Sequence, residues 1–286
     1  MEQVVTTNRS WARVRRLMKK RRLVFVGGAI ILVILLMAVF AGVLTDIDPN
    51  KLAVAKRLRP PSAEHIMGTD EFGRDVFSRL LYGARLSMTI GLSVVAISTV
   101  FGTLLGLVAG YYRAADNVIM RIMDGMMAFP DILLAIAMMA SLGPSVANVV
   151  ISLGTVCTPR VARVVRSAAL TIRETEYVEA ARAVGVRPGA ILLKHVLPNA
   201  VSPIIVQATF TFANSVLAEA SLSFLGVGVP PYVPSWGMML SSARSYMVQA
   251  SWMMIWPGLA IVVTVLGLNL LGDGLRDMLD PRLRNL

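Results

Sequence analysis

Residues 174–199 carry the side chains whose types and spacing most suggest a chemical task. The stretch lies between two long apolar runs but holds charges of both signs: Glu174, Glu176, Glu179, Arg182, Arg187 and Lys194. Such charges on a short segment can meet complementary charges on another protein. The chemistry predicted for this stretch is binding of a soluble partner.

Helix and turn signals alternate through the same stretch. Apolar residues recur at three- and four-residue steps, which predicts a helix from residue 175 to about 184. One face would hold Tyr177, Ala180 or Ala181, and Val184, and the other Glu176, Glu179 and Arg182. Gly185 can end this helix, and Pro188 suits the first turn of a second one. Pro198 is expected to break the chain before the next apolar run.

Several of these residues resemble the EAA loop in permease subunits of bacterial ABC importers. The similarity lies in Glu179-Ala180-Ala181, in Gly185 six residues after Glu179, and in Leu197-Pro198. In that family the loop is a cytoplasmic coupling helix that sits in a cleft on the ATP-hydrolysing subunit. The resemblance implies an ATPase-coupling loop that comprises Tyr177, Glu179, Ala180, Ala181, Arg182, Gly185, Pro188, Leu197 and Pro198. His195 departs from the general pattern, which prefers isoleucine, but is similar to the peptide and nickel branch. The alternative is an interfacial amphipathic helix that has no partner.

Two acidic residues interrupt apolar runs elsewhere. Asp131 follows Pro130, and Glu219 lies in the run 200–225. An ionised group is costly in lipid, so each is expected to face protein or water. Glu219 would either bond to a neighbouring helix or line the substrate path.

A metal site could be sought in residues 65–75, which contain His65, Asp70, Glu71 and Asp75. A lone histidine with scattered carboxylates lacks any repeated ligand spacing, so no metal site is predicted. A turn followed by an amphipathic helix with Val76, Leu80 and Leu81 on its apolar side fits the pattern better.

Motifs for energy conversion and catalysis are missing from the sequence. It has no Gly-x-x-x-x-Gly-Lys-Ser/Thr phosphate loop, no Gly-x-Ser-x-Gly elbow and no His-Glu-x-x-His pair. The chain is therefore not predicted to be an enzyme or to carry a cofactor. ATP and Mg²⁺, if they are used, would bind to partner subunits.

The composition is too apolar for an ordinary soluble domain. Of the 286 residues, 56% are hydrophobic and only 16% charged, and the mean hydropathy is +0.67. The single cysteine, Cys157, excludes an internal disulfide. The net charge of +11 comes from basic residues that flank apolar runs, so it indicates membrane orientation rather than binding of nucleic acid.

Six apolar runs predict an all-α membrane protein with six transmembrane helices. The predicted spans are 23–44, 86–110, 117–141, 146–168, 200–225 and 252–271. A cleaved signal peptide is the alternative for the first span, but its apolar run exceeds the usual length. Pro130 should kink the third span, in which Arg121 and Asp124 can pair. Arg160, Arg163 and Arg166 are interpreted as anchors of the fourth helix at its membrane exit.

The distribution of basic residues predicts that both termini are cytoplasmic. With that orientation, 20 of the 28 basic residues lie in the cytoplasmic segments 1–22, 111–121, 160–200 and 276–286. Seven of the other eight lie in the extracytoplasmic segment 45–85, so the positive-inside rule is met incompletely. The permease core would span 86–275, with the coupling loop 171–199 between spans four and five.

Further motifs resemble the peptide and nickel branch of the same importer family. They are Gly68-Thr69-Asp70-x-x-Gly73-Arg74-Asp75, Ser221-Leu222-Ser223-Phe224-Leu225-Gly226, Pro234-Ser235-Trp236-Gly237 and the end from Gly272. The resemblance implies the type I importer permease fold in the bacterial inner membrane. It also implies a homologous second permease chain, two ATP-binding subunits and an extracytoplasmic binding protein. Peptides are the expected substrates. Nickel chelates or other small solutes, or a secondary carrier without ATPase subunits, remain alternatives.

Overall fold

The computed structural model describes residues 22–279 and shows an all-helical protein. The helices are α1 (Arg22–Val39), α2 (Ala41–Leu44), α3 (Val76–Tyr111), α4 (Arg113–Met127), α5 (Asp131–Leu142), α6 (Val146–Arg173), α7 (Glu176–Ala183), α8 (Pro188–Ile191), α9 (Leu197–Phe224), α10 (Trp236–Ala243) and α11 (Trp252–Leu279). Within this part of the chain, β pairing is limited to one isolated bridge between Thr69 and Asp75. The predicted cytoplasmic ends, 1–22 and 276–286, lie largely outside the described residues.

The 36-residue helix α3 is the central element, and it lies closest to α6. Small residues make this approach close: a methyl group at Gly102 would lie 2.6 Å from Val161 Cβ, and one at Gly110 would lie 2.6 Å from Ala169 Cβ. In lipid the hydrophobic effect does not drive helices together, so their association depends on close packing of small residues. The stripe of glycines at four-residue steps therefore fixes the α3–α6 contact.

Three apolar clusters fill the interior. The first joins α1, α3, α9, α10 and α11, and the second joins α3, α5, α6, α9 and α10. The third lies at the C-terminal end of α3, where residues of α6 meet Val178, Ile191 and Val196 of the 171–199 loop. This third cluster is what attaches the loop to the helical body.

Four helices are long and apolar enough to cross a membrane: Arg22–Val39, Val76–Tyr111, the continuous helix Pro188–Phe224 and Trp252–Leu279. Helices α4 and α5 make a fifth only if they are taken together, and they are bent by 90°. The expected kink at Pro130 is thus a break, in which Pro130 precedes the first turn of α5. Helix α6 has 28 residues but carries four arginines in its second half. Six spans remain a prediction.

Polar contacts order the segment between α2 and α3. His65 Nδ1 lies 2.9 Å from Asp75 Oδ1, and Arg74 Nε donates to Asp70 Oδ2 at 2.6 Å. Asp75 also accepts from the Ser78 N–H and so caps α3. The predicted amphipathic helix from Val76 is the first part of α3, continuous with the second predicted span. In residues 22–279, no three His, Cys, Asp or Glu side chains are grouped to hold a metal ion.

Candidate functional site

Helix α7 is a short amphipathic helix that packs on the body of the protein mainly through Val178. Val178 is fully buried in the third cluster, and Ala181 packs partly against the same cluster. Tyr177 is 46% exposed and Val184 is 80% exposed. The apolar face predicted from Tyr177 and Val184 is therefore not the face that packs on the protein. Because only two residues separate the end of α6 from the start of α7, the position of α6 decides which face of α7 is buried.

The C-terminus of α7 is closed by a left-handed glycine. Gly185 has φ = 81°, and its N–H donates to the Arg182 carbonyl while the Val186 N–H donates to Ala181, both at 3.0 Å. This pair of hydrogen bonds is the Schellman arrangement, which favours glycine because a Cβ is strained at positive φ. A Cβ at Gly185 would meet no atom within 4 Å. The glycine is therefore required by backbone conformation and not by space.

The second half of the loop turns without a break into α9. Pro188 occupies the first turn of α8, as predicted, and residues Leu192–Val196 form a π-helical turn. Pro198 sits at the start of α9, and the expected break there is absent, because the chain is helical from Pro188 to Phe224. A proline displaces the carbonyl four residues earlier, and the wider π turn accommodates that displacement.

The charged residues of the loop differ in their surroundings. Arg182 stacks over the ring of Tyr111 at 5.1 Å, so α7 contacts the end of α3. Tyr111 and Arg182, together with Arg113, Arg173 and Glu174, line a polar cleft of about 370 Å³ beside α7. Glu179 and Ala180 are exposed, and Leu197 is half-buried. Within the described chain, Glu179 is exposed and forms no ion pair.

Glu219 is bonded to a neighbouring helix. It is fully buried and accepts hydrogen bonds from Ser87 Oγ of α3 at 3.1 Å and from Ser223 Oγ at 2.9 Å. A buried carboxyl group needs such partners. Of the two expectations for Glu219, the geometry matches the bond between helices.

Three aspartates pair with three of the four arginines of α6. Arg160 contacts Asp131, Arg163 contacts Asp124, and Arg166 Nη2 contacts Asp116 Oδ2, each at 2.6 Å. Asp124 therefore pairs with Arg163 and not with Arg121, its predicted partner. Asp131, a predicted polar residue of the pathway, is about half-exposed. The sequence contains both sets of charges, but their pairing depends on how α4 and α5 fold against α6.

Comparisons with known proteins found matching families and similar proteins. The family described as binding-protein-dependent transport system inner membrane component matches residues 102–285, and the N-terminal TM domain of oligopeptide transport permease C matches residues 10–61. A putative peptide transport system permease protein of Brucella suis is 49% identical over 270 residues, 94% of this chain and 91% of the relative. The dipeptide transport system permease protein DppC of Alkalihalophilus pseudofirmus is 47% identical, with 96% of this chain and 91% of the relative covered. The glutathione transport system permease protein GsiD of Pectobacterium atrosepticum is 43% identical, with coverage of 96% and 92%.

The fold also matches a solved structure. A chain of the MetNI methionine ABC transporter in an inward-facing conformation aligns with a TM-score of 0.60 and 20% identity. The alignment covers 71% of this chain and 96% of that one. At this identity the match speaks for the fold alone.

Proposed function

The chain belongs to the family of inner membrane components of binding-protein-dependent transport systems, and we propose that it imports short peptides by coupling its 171–199 loop to separate ATPase subunits. The observation that carries the proposal is the form of this loop. It is a closed helical hairpin that rests on the body through Val178 and presents Tyr177, Glu179 and Val184 outward.

The loop is joined directly to α6 and α9, so a force applied to the loop would move both long helices. Only two residues separate α7 from the end of α6, and α8 continues into α9 as a 37-residue helix about 55 Å long. Stiff helices transmit rigid-body motion with little bending. Closure of the ATPase pair would therefore tilt α6 and α9 together and alternate access to the pathway.

The exposed surface of the loop suits a protein cleft. Val184 and Leu193 are 80% and 65% exposed, and Glu179 supplies an exposed carboxylate that forms no ion pair with residues 22–279. Exposed apolar side chains among charged ones are typical of contact surfaces. Glu179 would make polar contacts, Ala180 would allow close approach, and Gly185 would hold the turn. Ala181 and Arg182 contact this chain itself and would serve mainly to position the loop.

We infer the assembly from membership of the family. A second, homologous permease would complete the pathway, and two ATP-binding subunits would hold ATP and Mg²⁺. An extracytoplasmic binding protein would deliver the substrate. Peptides are the proposed cargo because similar proteins carry the names of peptide, dipeptide and glutathione permeases.

The proposal can be tested by placing a charge on the exposed face of the loop. Val184→Asp changes a side chain that supports no buried contact, so the chain should still insert and pair with its partner permease. We expect it to lose the ATPase subunits on affinity purification and to lose ATP-dependent uptake of a labelled dipeptide. The matched control is Val248→Asp, because Val248 is 95% exposed in the segment before α11, away from the loop.

Two results would contradict the proposal. If Val184→Asp retains the ATPase pair and full uptake, the loop is not the contact. If the unsubstituted assembly takes up the dipeptide without any ATPase subunit, the chain works as a secondary carrier.

A further inference from the structure

Helices α5, α6 and α9 enclose a cleft of about 330 Å³ with a mixed polar wall. Its polar residues are Asp131, Arg160, Gln207, Thr211, Asn214 and Ser221. The rest of the lining is mainly aliphatic. This volume lies at the lower end of the range of about 300–1,000 Å³ that is usual for small-molecule sites.

Four of these polar residues form one stripe on α9. Gln207, Thr211, Asn214 and Ser221 are separated by four, three and seven residues, so they share a helix face. At about 1.5 Å per residue the stripe is about 21 Å long. It therefore extends through most of the apolar run in which it lies.

Polar groups in the stripe retain unused hydrogen-bonding capacity. Gln207 Nε2 donates to Thr211 Oγ1 at 3.3 Å, and Ser221 Oγ donates to the Leu217 carbonyl at 2.8 Å. Asn214 is exposed, and its carboxamide has no hydrogen bond to any residue in 22–279. An unpaired amide is unfavourable in lipid. The stripe must therefore face water, a solute or another polar surface.

The electrostatics of the cleft suit a solute with no net charge. Arg160 and Asp131 are 2.6 Å apart and about half-exposed, so their charges cancel while both remain accessible. Carboxamide side chains supply donors and acceptors together, as peptide groups do. A short zwitterionic peptide matches this wall, with its main-chain amides along the stripe and its charged ends near the ion pair.

We propose that this stripe and the Asp131–Arg160 pair are this chain's half of the translocation pathway and bind the main chain of a passing peptide. The proposal rests on the proposed import function and adds the residues that contact the cargo. Side-chain specificity would be low, because the contacts are to groups that all peptides share.

The test uses the complete transporter in proteoliposomes, with both permeases, the ATPase pair and the binding protein, and radiolabelled alanyl-alanine as the probe. Asn214→Leu and Thr211→Val remove polar groups from the cleft. The matched control is Thr209→Val, because Thr209 lies on the same helix outside the cleft and its hydroxyl donates to the Val206 carbonyl. We expect dipeptide uptake to fall at least tenfold in Asn214→Leu, with ATP hydrolysis stimulated by the loaded binding protein retained.

The conservative variant Asn214→Gln should restore uptake, which a purely structural role of Asn214 would not predict. Unchanged uptake by Asn214→Leu would overturn the inference. So would loss of the partner permease from purified Asn214→Leu, because the cleft would then be an interface between subunits. Absence of ATP-dependent uptake by the unsubstituted transporter would instead refute the proposed function.

Discussion

At Gly185 the backbone of the loop depends on a single residue in the left-handed region. Its φ of 81° closes α7, while the space around it is open. A β-branched residue there should cost about 1–2 kcal/mol from backbone strain alone. We expect Gly185→Val to open the loop about 5–30-fold more often. Limited trypsin digestion at Arg182 measures this directly, since Arg182 is exposed and lies three residues before Gly185.

The matched variant for this experiment is Gly185→Asn. Asparagine tolerates the left-handed region, so cleavage at Arg182 should stay near that of the parent protein. Equal cleavage of the valine and asparagine variants would show that positive φ at this position is not what holds the loop.

Local signals in the sequence account for the ends of the loop helices but not for what the loop packs against. Gly185 and Pro188 act through their own backbone preferences, so their positions could be predicted. The burial of Val178 instead of Tyr177 depends on residues of α3 and α6 that are distant in sequence. The same limit applies to Asp124, whose partner Arg163 is 39 residues away.

The glycine stripe of α3 makes a prediction about a whole helix contact. A methyl group at Gly106 would lie 2.5 Å from the Ala162 carbonyl oxygen, so Gly106→Ala must push α3 and α6 apart. Overpacking of this kind typically costs about 1–3 kcal/mol. The melting temperature of the detergent-purified protein should fall.

Gly125 of α4 is the control for that contact. A methyl group there meets nothing within 4 Å, so Gly125→Ala keeps only the helix-propensity gain of alanine, about 1 kcal/mol. The two Gly→Ala changes should therefore shift the melting temperature in opposite directions. A decrease of similar size in both would mean that α3 and α6 are not held by close backbone approach.

Helix continuity was harder to predict than helix existence. Pro198 and Pro130 both read as interruptions, yet the chain stays helical through Pro198 and turns by 90° at Pro130. The π turn Leu192–Val196 accommodates the ring of Pro198 within a continuous helix. Asp124 and Asp131, on either side of the second, are each bound to α6, which holds the bend. A hydropathy pattern shows neither the π turn before Pro198 nor the ion pairs on either side of Pro130.

The molecule has two distinct ends. The segment between α2 and α3 meets the start of α11, where Trp252 Nε1 donates to the Thr69 carbonyl at 3.2 Å. The 171–199 loop contacts Tyr111 at the other end of α3. These two regions therefore lie at opposite ends of the longest helix, and a membrane that α3 crosses would separate them.

The positive-inside pattern is incomplete, and the separation of these two regions allows the orientation to be tested. The segment 45–85 carries seven basic residues on the side predicted to be extracytoplasmic. Several of its charges are already bound within the protein, as in Arg74 with Asp70 and Lys56 with Glu64. The Lys56 ammonium also lowers the pKa of the Glu64 carboxyl group. Basic residues neutralised in this way should weigh less in orientation than basic residues without a carboxylate partner.

Cysteine labelling can decide the orientation, because Cys157 is the only native cysteine and can be replaced by alanine. We expect Ile66→Cys to react with a membrane-impermeant maleimide in spheroplasts, and Ala183→Cys to react only in inside-out vesicles. Both positions are exposed, so a difference between them reports the side of the membrane and not burial. Reaction of Ala183→Cys in intact spheroplasts would place the coupling loop outside the cell. No cytoplasmic ATPase could then reach it, and the proposed coupling would be wrong.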